Sequence, residues 1–321
     1  MKRLILLAAL ALLNAVAAFV SSGQNTLRPT TKSAPNPQRQ LIDSRLQATK
    51  SSGGANVNSL LSANRATIDA MGKEFPDVPE ITRLRFALAF SSQAEAKRAL
   101  RESVAFRKGV GRSLVESAAK AYEEATSNTN GGWDNEAVRV AAPHAASINR
   151  FITPKNILTL SADNGDLIYV IRASLINDRM LMNRVTVKQM GEFFLYVKEI
   201  HNIVADARSM KSGRLCEVIF ANDISGIRVP PDPRFSKALT ESSKQYEKLY
   251  PSLAGPTMIL NLPFVLQAFI GLIKPLFPPT VQDRLKFKSA PVLARLKELT
   301  PLSSSNDRSR KAFLTEIKTL L

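Results

Sequence analysis

"NLPFVLQAFIGLIKPLFPPT", residues 261–280, is the most apolar stretch of the chain outside its first twenty residues. Three readings compete for it: a membrane span, a core helix, and a lid that meets lipid. The span fails on length. Pro263 suits the first turn of a helix, and Lys274-Pro275 ends the apolar part. Pro263 to Lys274 would reach about 18 Å as a helix, against a hydrocarbon core of roughly 30 Å. Upstream, "PTMILNL" reads as a short buried strand, so a strand turns directly into a helix. Phe264, Val265, Leu266, Ala268, Phe269, Ile270, Leu272 and Ile273 cover every side of that helix, with Gln267 as the one strongly polar residue before Lys274. A helix apolar all round is buried or faces something apolar. The core helix and the lid both satisfy this condition.

Working outward, the chain has 321 residues, enough for one large domain or two modest ones. Hydrophobic residues make up 45% and charged residues 22%, which suits a globular protein with a sizeable core. Cys216 is the one cysteine, so no internal disulfide forms and the fold does not depend on an oxidising compartment. It lies within the apolar run "LCEVIF" and reads as a buried strand thiol. The two histidines, His144 and His201, have no second His or Cys at ligand spacing, which argues against zinc. Net charge is +17; residues 1–58 hold +6 of it and the remainder +11. A basic body points to an anionic partner, and a membrane surface is the expectation rather than nucleic acid.

The first 58 residues have their own grammar. Lys2 and Arg3 precede "LILLAALALL", and "AVAAF" follows: a positive n-region, an apolar h-region and a small-residue cleavage site after Ala18. Residues 19–58 are rich in Ser and Thr with Asp43 as their one acid, a composition that suits a transit peptide and builds no core. A signal peptide over 1–18 joined to a transit peptide over 19–58, with Phe19 at the junction, resembles the bipartite leaders of algae with secondary plastids. The alternative is a secreted or endomembrane protein with a disordered spacer.

Residues 59–126 read as a helical N-terminal lobe. "NSLLSANRATIDAMG" stops at Gly72, "PEITRLRFALAF" follows Pro76 and Pro79, and a third helix is capped by Ser91 or Ser92 and ends at Gly109. "RSLVESAAKAYEEAT" then runs to the break "SNTNGGWDN". Beyond it the period changes. "DLIYVIRAS", "RLCEVIFAND" and "GPTMILNLP" are nearly continuous apolar runs of strand type, separated by "TVKQMGEFFLYVKEIHNIVADARSM" and "DPRFSKALTESSKQYEKLYP", both helical. Strand, long helix, strand, helix, strand predicts an α/β domain over 135–290 with right-handed crossovers and a largely parallel sheet. Residues 291–321 hold two further amphipathic helix candidates, "APVLARLKELT" and "RSRKAFLTEIKTLL".

No catalytic signature accompanies this architecture. There is no G-x-S-x-G elbow, G-x-G-x-x-G loop or Walker A loop. "NGD" at 164–166 reads as a strand-entry turn. Asp163, Asp166 and Asp178 read as turn and cap residues, and Asp223 in "NDISG" as a turn at a strand end. The expectation is no enzyme, no catalytic residue, no cofactor and no metal.

Several fixed points in order then point to a family. "TRLRFALAF…AEAKRALRESVAFRKG", "GDLIYVIRA", "FANDISGI" and "YPSLAGPTMILNLPFVLQAFIGLIKPLFPPTVQDRLKF" resemble the CRAL-TRIO lipid-binding family over residues 81–290. The resemblance implies a helical lobe, a sheet floor and surrounding helices that enclose a hydrophobic pocket. It implies that Phe264, Leu266, Phe269, Ile270, Leu272 and Ile273 lie on a gate over the ligand, which opens at a membrane. Arg284 stands where the family's inositide-binding members carry a headgroup lysine. Phe90, Ser91 and Ser252 stand where those members carry polar headgroup partners, so the resemblance implies a ligand other than a phosphoinositide: another phospholipid, a sterol, tocopherol or a carotenoid. The implied protein is a monomer that shuttles this ligand between membranes. The rival is a non-transferring scaffold that uses its basic surface, with bulky side chains filling the pocket.

Overall fold

A computed structural model of the chain describes residues 54–127, 133–226, 231–261, 285–288, 314–315 and 317–318. Helices come first: α1 (Val57–Ala63), α2 (Arg65–Glu74), α3 (Glu80–Ala89), α4 (Gln93–Lys108) and α5 (Arg112–Ser127), then the short α6 (Asn135–Val140) and α7 (Ala145–Ile148). Ser92 caps α4 by accepting from the Glu95 amide, and Gly109 closes the same helix. The expected stop at Gly72 is not observed. Asn64 divides the segment into α1 and α2, and α2 runs through Gly72 to Glu74. A β-carbon there would meet the Arg83 guanidinium of α3, the far end of a side chain that can move aside.

The sheet follows: β1 (Ile157–Ser161), β2 (Leu167–Arg172), β3 (Val218–Asp223), β4 (Ala254–Leu260) and β5 (Leu285–Lys288), in the spatial order β1-β2-β3-β4-β5. β1 and β2 form an antiparallel hairpin, and every later neighbour pairs in parallel. The three expected strands are β2, β3 and β4; β1 and β5 extend the sheet at its two edges. α8 (Asp178–Met182) and α9 (Val187–Ser212) lie between β2 and β3, and α10 (Pro233–Leu249) lies between β3 and β4. Thr186 and Gln189 form a reciprocal capping box at the start of α9, and Gly213 ends it in the left-handed region at φ 68°. With 26 residues, α9 spans about 39 Å.

Parallel strands in sequential order place their crossover helices on one face. Leu167, Tyr169, Val218 and Phe220 pack there with α5, α9 and α10. The alternate residues Ile168, Val170, Ile219, Ala221, Met258 and Leu260 form the opposite face, where Ile317 is fully buried and Leu314 half-buried against them. Leu314 and Ile317 therefore lie against the back of the sheet.

Two arginines join the helical lobe to the sheet domain. Arg85 of α3 is 1% exposed; its Nε donates to Asp206 of α9 at 2.6 Å, and its two terminal nitrogens to the carbonyls of Ser252 and Cys216 at 2.8 and 2.9 Å. Arg107 of α4 grips Glu199 of α9 through two parallel bonds of 2.7 and 2.9 Å. Cys216 is fully buried, one residue before Glu217 and just outside β3. Asp166 does more than turn the chain. It accepts from both terminal nitrogens of Arg214 and from the Glu217 amide, which ties the β1–β2 hairpin to the entry of β3. No helix among the described residues is long and apolar enough to cross a membrane.

Candidate functional site

Helix α9 is buried along most of its length, so each of its faces is assigned to a different neighbour. Val197, Ile200, His201, Val204 and Arg208 recur at helical spacing and face β1 and β2. Ile157, Thr159, Leu167 and Tyr169 stand opposite them, on the helix side of the sheet. The α6–α7 segment, with Trp133 before it, closes the edge beyond β1. Tyr196 donates to the Val138 carbonyl at 2.8 Å and holds that segment against α9. Together these walls enclose a cavity of about 100 Å³.

Its lining is aliphatic and aromatic, with a few convergent polar groups, the composition expected of a ligand pocket. His201 is 3% exposed and its Nε2 lies 2.8 Å from Thr159 Oγ1. Burial, and secondarily the nearby Lys198 ammonium, push the imidazole down to about 3, so it is neutral throughout the physiological range. The Tyr169 ring meets the His201 ring edge-on at 5.0 Å. The Tyr169 hydroxyl is buried and has no hydrogen-bond partner among the described residues, and burial drives its pKa upward. Two guanidiniums line the same space. Arg139 donates to the Ile152 carbonyl at 3.3 Å, and Arg208 to the Gly165 carbonyl and Ser161 Oγ at 3.2 and 2.7 Å. Burial lowers both from the ordinary arginine value.

Toward β3 and β4 the space between sheet and helices is filled by rings. Tyr169 contacts Phe220, Phe220 contacts Tyr246 and Tyr246 contacts Tyr250, with centroid separations of 6.1, 6.1 and 5.6 Å. Lys198 places its ammonium 4.9 Å from the Tyr246 ring and donates to Ser242 Oγ at 3.4 Å. Burial lowers Lys198 to about 7 and raises the neighbouring Glu247 to about 8. Glu199, one residue on, is committed to Arg107.

The C-terminal ends of the parallel strands carry a third polar cluster, at the edge where open α/β sheets place ligands. Asp223 at the end of β3 is 1% exposed. It accepts from the Ser225 amide at 2.9 Å and from the Asn261 side chain at 2.7 Å, and Arg172 of β2 approaches it to 3.5 Å. Asn261 holds a left-handed conformation at φ 58°, tolerated by Asn better than by most side chains. Asp223 is thus more than a turn residue: it fixes the chain where the segment quoted at the outset begins. Phe264, Leu266, Phe269, Ile270, Leu272, Ile273 and Arg284 lie outside the described residues. Of the headgroup positions, Phe90 stacks on Phe86 inside the helical lobe at 6.4 Å, and Ser252 presents its carbonyl to Arg85.

Sequence reading weighed His201 only as a zinc ligand and passed over Thr159, Tyr169 and Trp133. The signal was present in the long helix, where one histidine interrupts an apolar row at 197, 200, 201 and 204.

The cavity between a long helix and a sheet floor, lined mostly by apolar side chains, has the composition of a site for a small or lipid-like molecule. Residues 155–304, a little under half of the chain, match the model of the CRAL/TRIO domain. No curated protein matches the chain. Among solved structures, one titled "Crystal structure of Sfh5" aligns at 12% identity over 90% of this chain and 98% of that one, with a TM-score of 0.37.

Proposed function

We propose that this chain binds a hydrophobic ligand, a phospholipid or an isoprenoid-type lipid, and transfers or presents it between membranes without chemistry. The observation that carries the reading is the apolar cavity between α9 and the β1–β2 hairpin. At about 100 Å³ it is roughly two-thirds of an engineered apolar cavity that holds benzene, so it accepts one end of a lipid and not the whole. Entry of the rest requires the helix layer to open, and Pro263–Lys274 is the proposed gate. Mass spectrometry of lipids that co-purify with the full chain tests the binding; a lipid-free protein would count against it. The gate is tested by Phe269→Asp and Ile270→Asp. A carboxylate facing hydrocarbon costs roughly 2.5–3.5 kcal/mol, so vesicle-to-vesicle transfer should fall about a hundredfold while the melting temperature stays near normal. Loss of both together would return this segment to the core.

The ring series Tyr169–Phe220–Tyr246–Tyr250 favours a second reading, because it occupies much of the interior with bulky side chains. A scaffold that holds an anionic membrane through its basic surface would look like this. It would bind anionic vesicles, carry no lipid, and transfer none.

The leader supports a plastid address. Residues 1–58 fused to a fluorescent protein should reach the plastid of an alga with secondary plastids, and Phe19→Ala should divert the fusion. Equal import with and without Phe19 would remove the basis for this address.

A further inference from the structure

A buried hydroxyl without a partner is costly, about 1–3 kcal/mol, and calls for an explanation. Tyr169 presents one beside the cavity, 4% exposed, on β2 of the hairpin. The other polar groups of the lining are already engaged. Thr159 and His201 are bonded to each other, and Arg139 and Arg208 donate to protein oxygens. The phenol is the one fully buried side-chain polar atom of this lining without a partner among the described residues, and no carboxylate is among the lining residues.

From this we infer that Tyr169 is a specificity-determining residue, which selects a ligand whose buried end carries a hydroxyl or carbonyl oxygen. The inference rests on the reading of the cavity as the ligand site. Its physical basis is differential: a site built to bond an oxygen penalises the analogue that lacks it, because the tyrosine hydroxyl then stays unpaired. A cationic end is penalised differently, because the lining offers it two guanidiniums and no carboxylate.

The chain's one tryptophan, Trp133, lines the cavity and reports on it directly. Cyclopentane, cyclopentanol and cyclopentanecarboxylate match the cavity's scale, do not absorb where tryptophan does, and differ only in the polar group. Titrations of the full chain and its Tyr169→Phe variant, followed by Trp133 emission, give six affinities. The substitution should weaken cyclopentanol by about 2- to 10-fold, the worth of one net hydrogen bond, and leave cyclopentane unchanged or tightened. An equal effect on both would overturn the role of Tyr169 while leaving the cavity a ligand site. Tightest binding by the carboxylate would move the polar anchor to Arg139 and Arg208 and overturn it too. No response to any of the three would remove the ligand-site reading along with the anchor.

Discussion

Replacing Arg85 by methionine should lower the free energy of unfolding by about 3–5 kcal/mol, the range seen when one member of a buried ion pair is removed. Methionine fills much of the volume but abandons three acceptors. Asp206, 13% exposed, would keep its charge with only Thr82 donating to it, and the carbonyls of Ser252 and Cys216 would lose their bonds to the guanidinium. Those acceptors lie on α9, on the approach to β4 and on the approach to β3. One side chain therefore ties the helical lobe to three parts of the sheet domain. Urea unfolding of the full chain measures the loss. Asp206→Asn keeps an acceptor and removes the charge, so it should cost less than Arg85→Met. A double-mutant cycle between positions 85 and 206 should show coupling above about 1 kcal/mol. A loss below 1 kcal/mol for Arg85→Met would mean that the lobe is held mainly by its apolar contacts.

The same arginine shows what the sequence could and could not say. "TRLRF" was legible as a helix and as a point of resemblance, but a buried arginine looks like any helical arginine until its acceptors arrive from residues more than 120 positions away. The strand–helix–strand order was legible because parallel strands buried on both faces read as unbroken apolar runs. β1 was missed because "ILTLS" is short and half-polar and follows a Pro-Lys-Asn turn. β5 was missed because "LKFK" alternates with lysine and looks like solvated chain. Gly72 misled because a glycine late in a helical run signals a stop, whereas here the helix continues through it to Glu74. The resemblance implied a pocket, but the place and lining of this cavity lay beyond the sequence. It arises where α6–α7 folds back over the hairpin edge, and no local pattern sets that distance. Asp223 illustrates an intermediate case. Its place at a strand end was readable, but its bond to Asn261 required two strands to be brought side by side.

Acidification should expose the cost of the buried histidine. An imidazole in the unfolded chain takes up its proton near 6.5, whereas His201 in the folded chain resists it down to about 3. Between these values the unfolded state binds more protons, so stability falls as pH is lowered through that window. The contribution is fully present above 6.5, reduced by about 2 kcal/mol at pH 5, and lost to the extent of about 5 kcal/mol once pH passes below the folded value. The cause is geometric. Thr159 and Tyr169 from the sheet and Lys198 from the same helix surround the ring, and no carboxylate among the described residues stabilises an imidazolium there. His201→Gln keeps a partner for Thr159 and removes the titration. Other groups titrate alike in both proteins, so the difference isolates this one. Urea midpoints of the full chain at pH 7 and pH 5 should show the wild type losing about 2 kcal/mol more than the variant. Equal losses would mean that the ring gains solvent or a carboxylate when protonated. In that case the cavity wall beside Tyr169 would be looser than its burial implies, and the closed setting argued for the phenol would fail with it.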